Sequence, residues 1–575
     1  MVFEDDASDA SSVTIDNDPD RRYALREDSR TTTPFLSVPP TETVDLTEGE
    51  PFHDGDYVTD EDLEILHEDW FRSELTAPTA RPVSPKKRLE EICGDDGILY
   101  KPGQTVELHD DTFLRICSIW EETNGEICFQ GRRMLKIRNH VGTYLPEWQN
   151  ELVWIANETA SIPLGFVRCF VQVHFTNDSR VSQSMKRNCL SGLFCRLKEV
   201  LQTHTTSVEY LSYEEADDGY RVKATALRRS WRGETSLFGS ERHSAPVVVL
   251  DGIEDMEQRM HRKYTFGDGF CGAGGVSCGA ETAGLHIKWA FDLSPHAAAS
   301  YRLNFPTVLC EESDIFSFLT NNEEFLRVDV THGSPPCQTF SPAHTVEGAN
   351  DDANSACIFS CGDLIRKAKP RIHTMEETSG LFNRHKNTFF RVIQDFIETG
   401  YSVRWEILDC VKYGVPQSRK RLVVIASGPG EMLPLLPQPT HGLPGSGLRD
   451  LTTINQAILN IPPGTPDHDV ERARSRGSQN QRAPFDGNQQ AHTITCGGGD
   501  NNYHPSGQRV FTNREFACLQ TFPLTFQFGR FGLVEVRRQI GNAVPPILAQ
   551  AIYGQIVRSL QETDEREERE LRERQ

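Results

Sequence analysis

Residues 264–275 read Tyr-Thr-Phe-Gly-Asp-Gly-Phe-Cys-Gly-Ala-Gly-Gly, a short β-prone run that breaks into glycines just before a helix-like segment. Glycines there let backbone approach a ligand closely at the carboxyl end of a strand. Working outward, the β-like run Trp289-Ala290-Phe291-Asp292-Leu293 carries an acid near its end and passes into a helix-like stretch, His296 to Phe305. A third β-rich run, Arg327 to His332, leads into Gly333-Ser334-Pro335-Pro336-Cys337-Gln338-Thr339-Phe340-Ser341. From Tyr264 to about Leu560 strand-like and helix-like runs keep alternating, which predicts an α/β fold with a doubly wound, mostly parallel sheet.

Around this block the 575-residue chain divides by composition. The formal charge of -23 is concentrated at the termini: residues 1–80 hold 22 acidic against 5 basic residues, and residues 561–575 hold 7 against 4. The middle is nearly neutral and free to carry basic surfaces for nucleic acid. Residues 1–92, rich in Asp, Glu, Ser, Thr and Pro, are expected to be a disordered acidic leader, with a helix-on-binding patch at Leu63 to Phe71 and a nuclear-localisation-like Pro85-Lys86-Lys87-Arg88. Residues 93–232 carry short β-rich runs, among them Thr105 to Leu108, Phe113 to Trp120 and Glu151 to Ile155, and are expected to form an all-β module. A linker spans 233–262; just before it, Arg228, Arg229, Trp231 and Arg232 could touch a phosphate backbone. The catalytic domain is placed at 263–560 and a charged tail at 561–575. No run approaches the roughly 18 apolar residues of a membrane span, and the 15 scattered Cys fit reduced thiols better than a disulfide framework. Cys357 and Cys361 form a lone CxxxC pair, so no metal site is expected.

The chemistry converges on strand ends. Gly267, Gly269 and Gly272 spell GxGxxG, and Asp292 stands where a carboxylate accepts ribose hydroxyls, so a nicotinamide cofactor and S-adenosylmethionine both fit these two features. Two prolines stiffen the loop that presents Cys337 as a nucleophile. Met375-Glu376-Glu377-Thr378 follows another strand-like run and brings a carboxyl group to a neighbouring strand end. In Gln417-Ser418-Arg419-Lys420-Arg421, which precedes Leu422-Val423-Val424-Ile425-Ala426, alternation sends Arg419 and Arg421 to one side. Glu377, a second carboxylate beside Glu376, would raise the pair's effective pKa, point into solvent, or be relieved by Arg371 or Arg419.

The ordered blocks DGFCGAGG, SPPCQTFS, MEET, QSRKRLVVIA, TNREFACLQTFP and QIGNAVPP resemble those of cytosine-5 methyltransferases over nearly all of residues 264–560. That resemblance implies an S-adenosylmethionine-dependent methyltransferase fold. It also implies a catalytic set of Cys337, Glu376, Arg419 and Arg421, and a cofactor pocket made by Phe270, Gly272, Ala273, Gly274, Gly275, Asp292, Leu293, Asp314, Ile315, Pro336, Asn542 and Val544. Double-stranded DNA with a flipped cytosine is the implied substrate, and residues 428–510, with Arg472, Arg474, Arg476 and Arg482, the implied target-recognition region. Residues 106–139 and 150–158 are similar to the bromo-adjacent homology (BAH) domain, which implies a chromatin-protein partner and the nucleus. Glu376-Glu377-Thr378 departs from the family's usual Glu-Asn-Val. Together with the leader and the compact recognition segment it looks like the fungal RID type (repeat-induced point mutation defective), associated with silencing of repeated DNA. An RNA cytosine methyltransferase and a catalytically silent chromatin scaffold remain open at this point.

Overall fold

The computed structural model describes residues 86–94, 97–146, 148, 150–157, 161–180, 192–202, 204–233, 264–336, 340, 357–477, 483–496 and 503–573. The N-terminal part is built from β1 (Lys87–Leu89), β2 (Ile92–Cys93), β3 (Leu99–Tyr100), β4 (Thr105–Leu108), β5 (Phe113–Glu121), β6 (Ile127–Lys136), β7 (Glu151–Ile155), β8 (Ser161–Pro163), β9 (Val167–Val171), β10 (Val173–Phe175), β11 (Leu193–Leu201) and β12 (Thr206–Tyr210). β5 is the hub, pairing antiparallel with β1, β4 and β6. Its inward residues Leu114, Ile116 and Ile119 join Val106, Leu108 and Phe129 in a small core.

Strands β1 and β2 begin within the last residues of the segment 1–92 that was expected to be a disordered leader. Residues 1–85, with the Leu63 to Phe71 patch, lie outside the described residues, but Lys87 and Arg88 of the basic quartet belong to β1. There Lys86 pairs with Glu122 at 2.5 Å and Lys87 with Glu121 at 3.2 Å, because β5 presents acids opposite them.

The second part begins with helix α1 (Ala224–Arg232) and continues after Tyr264 with β13 (Thr265–Gly269), α2 (Gly275–Thr282), β14 (His286–Asp292), α3 (Pro295–Asn304), β15 (Leu309–Glu312), α4 (Ile315–Phe318), α5 (Glu323–Leu326) and β16 (Val330–Gly333). Then come α6 (Ser360–Ala368), β17 (Ile372–Thr378), α7 (Ser379–Arg384), α8 (Lys386–Glu398), β18 (Ser402–Asp409) and β19 (Lys420–Ser427). The last elements are β20 (His441–Gly442), β21 (Arg449–Asp450), α9 (Ile454–Ile458), α10 (Val470–Gly477), α11 (Asn513–Leu519), α12 (Leu533–Asn542) and α13 (Pro546–Glu573). Pairings give the order β15-β14-β13-β16-β17-β19-β18, parallel from β15 through β17, with β19 antiparallel to both of its neighbours. This is the predicted α/β sheet, covered on both faces. Along β19, Leu422, Val424 and Ala426 pack with Phe389, Val392 and Phe396 of α8, while Val423 and Ile425 pack with Leu548, Ile552 and Ile556 of α13. A continuous apolar run is what burial on two sides requires.

The β-rich part is spliced into this sheet. β12 pairs antiparallel with β18, Val208 opposite Val403, so the two parts share one sheet. Tyr210 donates its backbone N–H to Ser402 Oγ at 3.0 Å and its hydroxyl to the Ile397 carbonyl at 2.7 Å, and Arg404 pairs with Glu209 at 3.2 Å.

Two charged segments differ from expectation. Arg228 and Arg232 are not a solvated phosphate-binding cluster: they are buried on α1. Arg228 donates to the Gly430 carbonyl and pairs with Glu567, Arg232 pairs with Asp329, and Trp231 donates to the Tyr401 hydroxyl at 3.2 Å. The charged segment expected at 561–575, outside the catalytic domain, continues α13 as far as Glu573, with Thr563, Asp564 and Glu567 buried. Arg371 binds Glu431 at 2.8 Å and Asp564 at 2.7 Å, and Asp564 also accepts the Tyr264 hydroxyl. Ionic partners from five separate segments, around residues 228–232, 329, 371, 431 and 564–567, hold these charges inside, which no local pattern reveals.

Candidate active site

The register of the parallel strands assembles the site. Gly333 at the end of β16 lies opposite Met375 of β17, which sets Ser334 beside Glu376. Ser334 donates its hydroxyl to Glu376 Oε2 at 2.7 Å, and Arg421 Nε lies 2.7 Å from Glu376 Oε1. Arg421 comes from β19, where it pairs across the sheet with Thr378. The carboxylate is thus fixed from both sides at a sheet edge, one oxygen on a hydroxyl and one on a guanidinium. Ser334 had no predicted role; its place in the Gly-Ser-Pro-Pro-Cys turn was the signal available. Pro336 is half-buried, and Cys337, the predicted nucleophile, lies outside the described residues.

Arg419 and Arg421 take different tasks. Arg419 is buried and donates to the carbonyls of Ile494, Gly541 and Ala543 at 3.0–3.2 Å, so it ties the chain at Ile494 to the turn after α12. Arg419, expected in the catalytic set, is taken up by this carbonyl cage. Asn542 in that turn accepts a hydrogen bond from the Cys496 thiol, and Gln520 donates to the Ala543 carbonyl. Val544 is buried, its carbonyl 2.5 Å from where a Cβ on Gly275 would stand, so that glycine permits α2 to meet the returning chain.

Glu377 behaves unlike any of its three predicted alternatives alone. Strand alternation turns it away from Glu376, it is fully buried, and neither Arg371 nor Arg419 is its partner. Its Oε2 accepts the Thr378 N–H at 3.1 Å and its Oε1 has no hydrogen-bond partner. Burial, reinforced by the charge of Glu376, pushes its carboxyl well above the usual range.

The opposite half of the edge is formed by β13, β14 and β15. Phe270 (φ 57°) and Gly272 (φ +55°) turn the chain sharply after β13, and a Cβ on Gly272 would enter open space. Gly274 differs: at φ +106° its Cβ would come within 2.5 Å of the Phe305 ring, so this glycine serves packing beneath the loop. Ala273 is buried. Asp292 Oδ2 accepts the Gly272 N–H and Oδ1 the Ser294 N–H, both at 2.8 Å, binding the glycine turn to the end of β14. Burial raises the Asp292 carboxyl, and those two N–H groups work against the rise. Asp314 caps α4 through Phe316 N, Ser317 N and the Ser317 hydroxyl, which lower its pKa, the hydroxyl first. Next to these acids Leu293 is 70% exposed and Phe316 60% exposed, whereas Ile315 is buried.

An open glycine cradle, a carboxylate at the next strand end and the exposed apolar side chains Leu293 and Phe316 fit an adenosyl group carrying a methionine portion. Among the described residues no group of three or more His, Cys, Asp or Glu could hold a metal ion.

The sequence model of the C-5 cytosine-specific DNA methylases matches residues 264–444 and 465–558. The type II methyltransferase M.NgoFVII of Neisseria gonorrhoeae is 31% identical over 309 residues, 48% of this chain and 82% of that protein. M1.HphI of Haemophilus parahaemolyticus is 29% identical over 325 residues, 50% and 85%, and M.Sau96I of Staphylococcus aureus 29% over 347 residues, 54% and 80%.

Proposed function

Because the chain belongs to the C-5 cytosine-specific DNA methylase family, we propose that its site methylates a cytosine flipped out of duplex DNA, with Cys337 as nucleophile and Glu376, Arg421 and Ser334 around the base. The enzyme is a DNA cytosine-5 methyltransferase and its cofactor is S-adenosylmethionine, which when bound supplies an electrophilic methyl group. The observation that carries the assignment of roles is the Glu376 carboxylate, held at the sheet edge by Arg421 and Ser334 within the family-matched segment.

Carbon 5 of cytosine is a weak nucleophile, and addition of the Cys337 thiolate to carbon 6 makes it enamine-like. Glu376 meets ring nitrogen 3, delivering the proton that the addition requires. Arg421, with one edge on Glu376, shares the charge that develops on the oxygen at carbon 2. Arg419 acts through the backbone turn of Gly541 and Ala543 and is a positioning residue. Loss of the carbon 5 proton and elimination of Cys337 end the turnover. The base reaches this pocket only when unstacked, at a cost of a few kcal/mol that the pocket contacts offset.

The N-terminal β part reads as a BAH-like contact for a chromatin protein, supported by its sequence order. The acidic leader and Glu376-Glu377-Thr378 support a fungal RID-type enzyme that works in the nucleus on repeated DNA. The test is transfer of labelled methyl from S-adenosylmethionine to carbon 5 of cytosine in duplex DNA, with tRNA as competitor. Label in DNA that Cys337→Ser abolishes is the expected result; transfer to tRNA alone would refute the DNA reading.

A further inference from the structure

Beneath the glycine turn lies a second acid with no assigned task. Asp268, two residues before Phe270 on β13, is completely buried. Its Oδ2 accepts the Ser277 hydroxyl at 2.6 Å, and Ser277 Oγ lies 2.7 Å from the Tyr301 hydroxyl. Oδ1 has no hydrogen-bond partner. Burial raises its pKa to about 7, and the nearby Asp292 adds to the rise.

The groups facing Asp268 come from every element around it. Ser277 belongs to α2, Asp292 to β14, Tyr301 to α3 and Tyr553 to α13; Cys271 stands in the turn, and Cys310 of β15 adjoins Cys271. His332 is its register partner on β16, and burial holds that imidazole neutral, with a pKa lowered to about 3. None of these groups is a cation. Two carboxyl groups, Asp268 and Asp292, therefore share the floor of the cofactor cradle without a fixed positive charge, an arrangement that low dielectric makes costly.

We propose that Asp268 is a proton-linked positioning residue for the cofactor, giving up its proton when the cationic methyl donor enters and regaining it when the uncharged thioether product remains. The inference rests on the cofactor assignment above. S-adenosylmethionine carries a sulfonium that S-adenosylhomocysteine lacks, so only the donor brings the charge that stabilises an Asp268 carboxylate. As pH rises through neutrality the site changes from neutral to anionic, and affinity for the donor rises while affinity for the product changes less. The released proton goes to solvent and no bond other than O–H changes. Methyl transfer then removes the charge that held the anion, which favours product departure.

The test is calorimetric titration of the full-length protein with S-adenosylmethionine and with S-adenosylhomocysteine, between about pH 6 and 8, in two buffers of different ionisation enthalpy. Donor binding is expected to release a fraction of a proton near neutral pH, and the donor-to-product affinity ratio to climb roughly three- to tenfold across the window, within the limit of tenfold per pH unit for one proton. Asp268→Asn should flatten the ratio; any slope that survives belongs to the cofactor's own amine. If Asp268→Asn does not fold, Ser277→Ala decides: it removes a hydrogen bond to the carboxylate and should move the midpoint of the ratio to higher pH, and an unmoved midpoint overturns the linkage. A pH-independent ratio in the wild type, or an unchanged slope in Asp268→Asn, overturns the linkage while leaving the cofactor assignment intact. Failure of both ligands to bind at any pH overturns both.

Discussion

Replacing Glu377 by glutamine should stabilise the protein, and should do so increasingly as pH rises. The side chain is fully buried on the face of β17 away from Glu376, where Cys361 of α6 is among its neighbours, and one carboxyl oxygen has no partner. Burial raises its pKa well above the ordinary 4.5. An acid whose folded pKa is raised keeps its proton in the folded state while the unfolded chain has lost it. Stability then falls as pH rises from the unfolded value toward the folded one, by about 1.4 kcal/mol per pH unit. Each such unit is a sizeable part of a typical folding free energy of about 5–15 kcal/mol.

Glutamine has the same shape and never ionises, so Glu377→Gln should match the wild type near pH 4.5 and exceed it by about 1.4 kcal/mol for each unit above. Urea unfolding followed by tryptophan fluorescence at several pH values provides the comparison, and the slopes that Asp268 and Asp292 contribute cancel between the two proteins. Parallel stability curves for wild type and variant would refute the argument, because they would mean that Glu377 ionises in the fold at its ordinary pH. A wild type that loses stability on acidification while the variant does not would show a carboxylate with a favourable partner, the opposite sign.

Other expectations follow from the same geometry. Cys337→Ser should abolish methyl transfer with S-adenosylmethionine binding retained, and a fluorinated cytosine should become covalently attached to the wild type alone; an adduct on another cysteine would move the nucleophile. Asp292→Ala, which also frees the Gly272 and Ser294 N–H groups, should weaken S-adenosylmethionine binding and lower the melting temperature less than Gly274→Val, whose Cβ meets Phe305 at 2.5 Å; equal thermal stability of the two variants would contradict this division. Asp564→Ala, which leaves Arg371 with one of its two buried partners, should cost about 3–5 kcal/mol in urea unfolding, and so should truncation after Leu560; a truncated chain of undiminished stability would refute a structural role for the end of α13. Arg472→Ala combined with Arg476→Ala, both exposed on α10, should reduce the slope of log affinity against log salt for duplex DNA by about 1–2, and an unchanged slope would place DNA elsewhere.

What the sequence revealed and what it hid divide along a physical line. The α/β rhythm was legible because a strand buried on both faces must be apolar along its whole length, as Leu422 to Ala426 are, and because a chain turning at φ +55° and +106° calls for Gly272 and Gly274. Convergence of Glu376 and Arg421 was legible from two strand ends. The buried ion pairs and the strand pairing between the two parts were not. Arg228 and Glu567 meet inside the protein, yet one reads as a basic linker and the other as an acidic tail, and the pairing of β12 with β18 leaves no trace in either strand.

That buried network changes how charge in this molecule must be interpreted. Arg228, Arg232 and Arg371 are bound to Glu567, Asp329, Glu431 and Asp564, so these cations contribute nothing to the surface that DNA would meet. On α10, Arg474 is paired with Glu471 at 2.8 Å in an exposed contact that phosphate can readily displace, and Arg472 and Arg476 stand exposed beside it. A nearly neutral central segment is therefore not a uniformly neutral surface. Arg228, Arg232 and Arg371 form a buried set that fastens α1 and α13 to the catalytic sheet, and Arg472, Arg474 and Arg476 form an exposed set on α10, where phosphate contacts have a use.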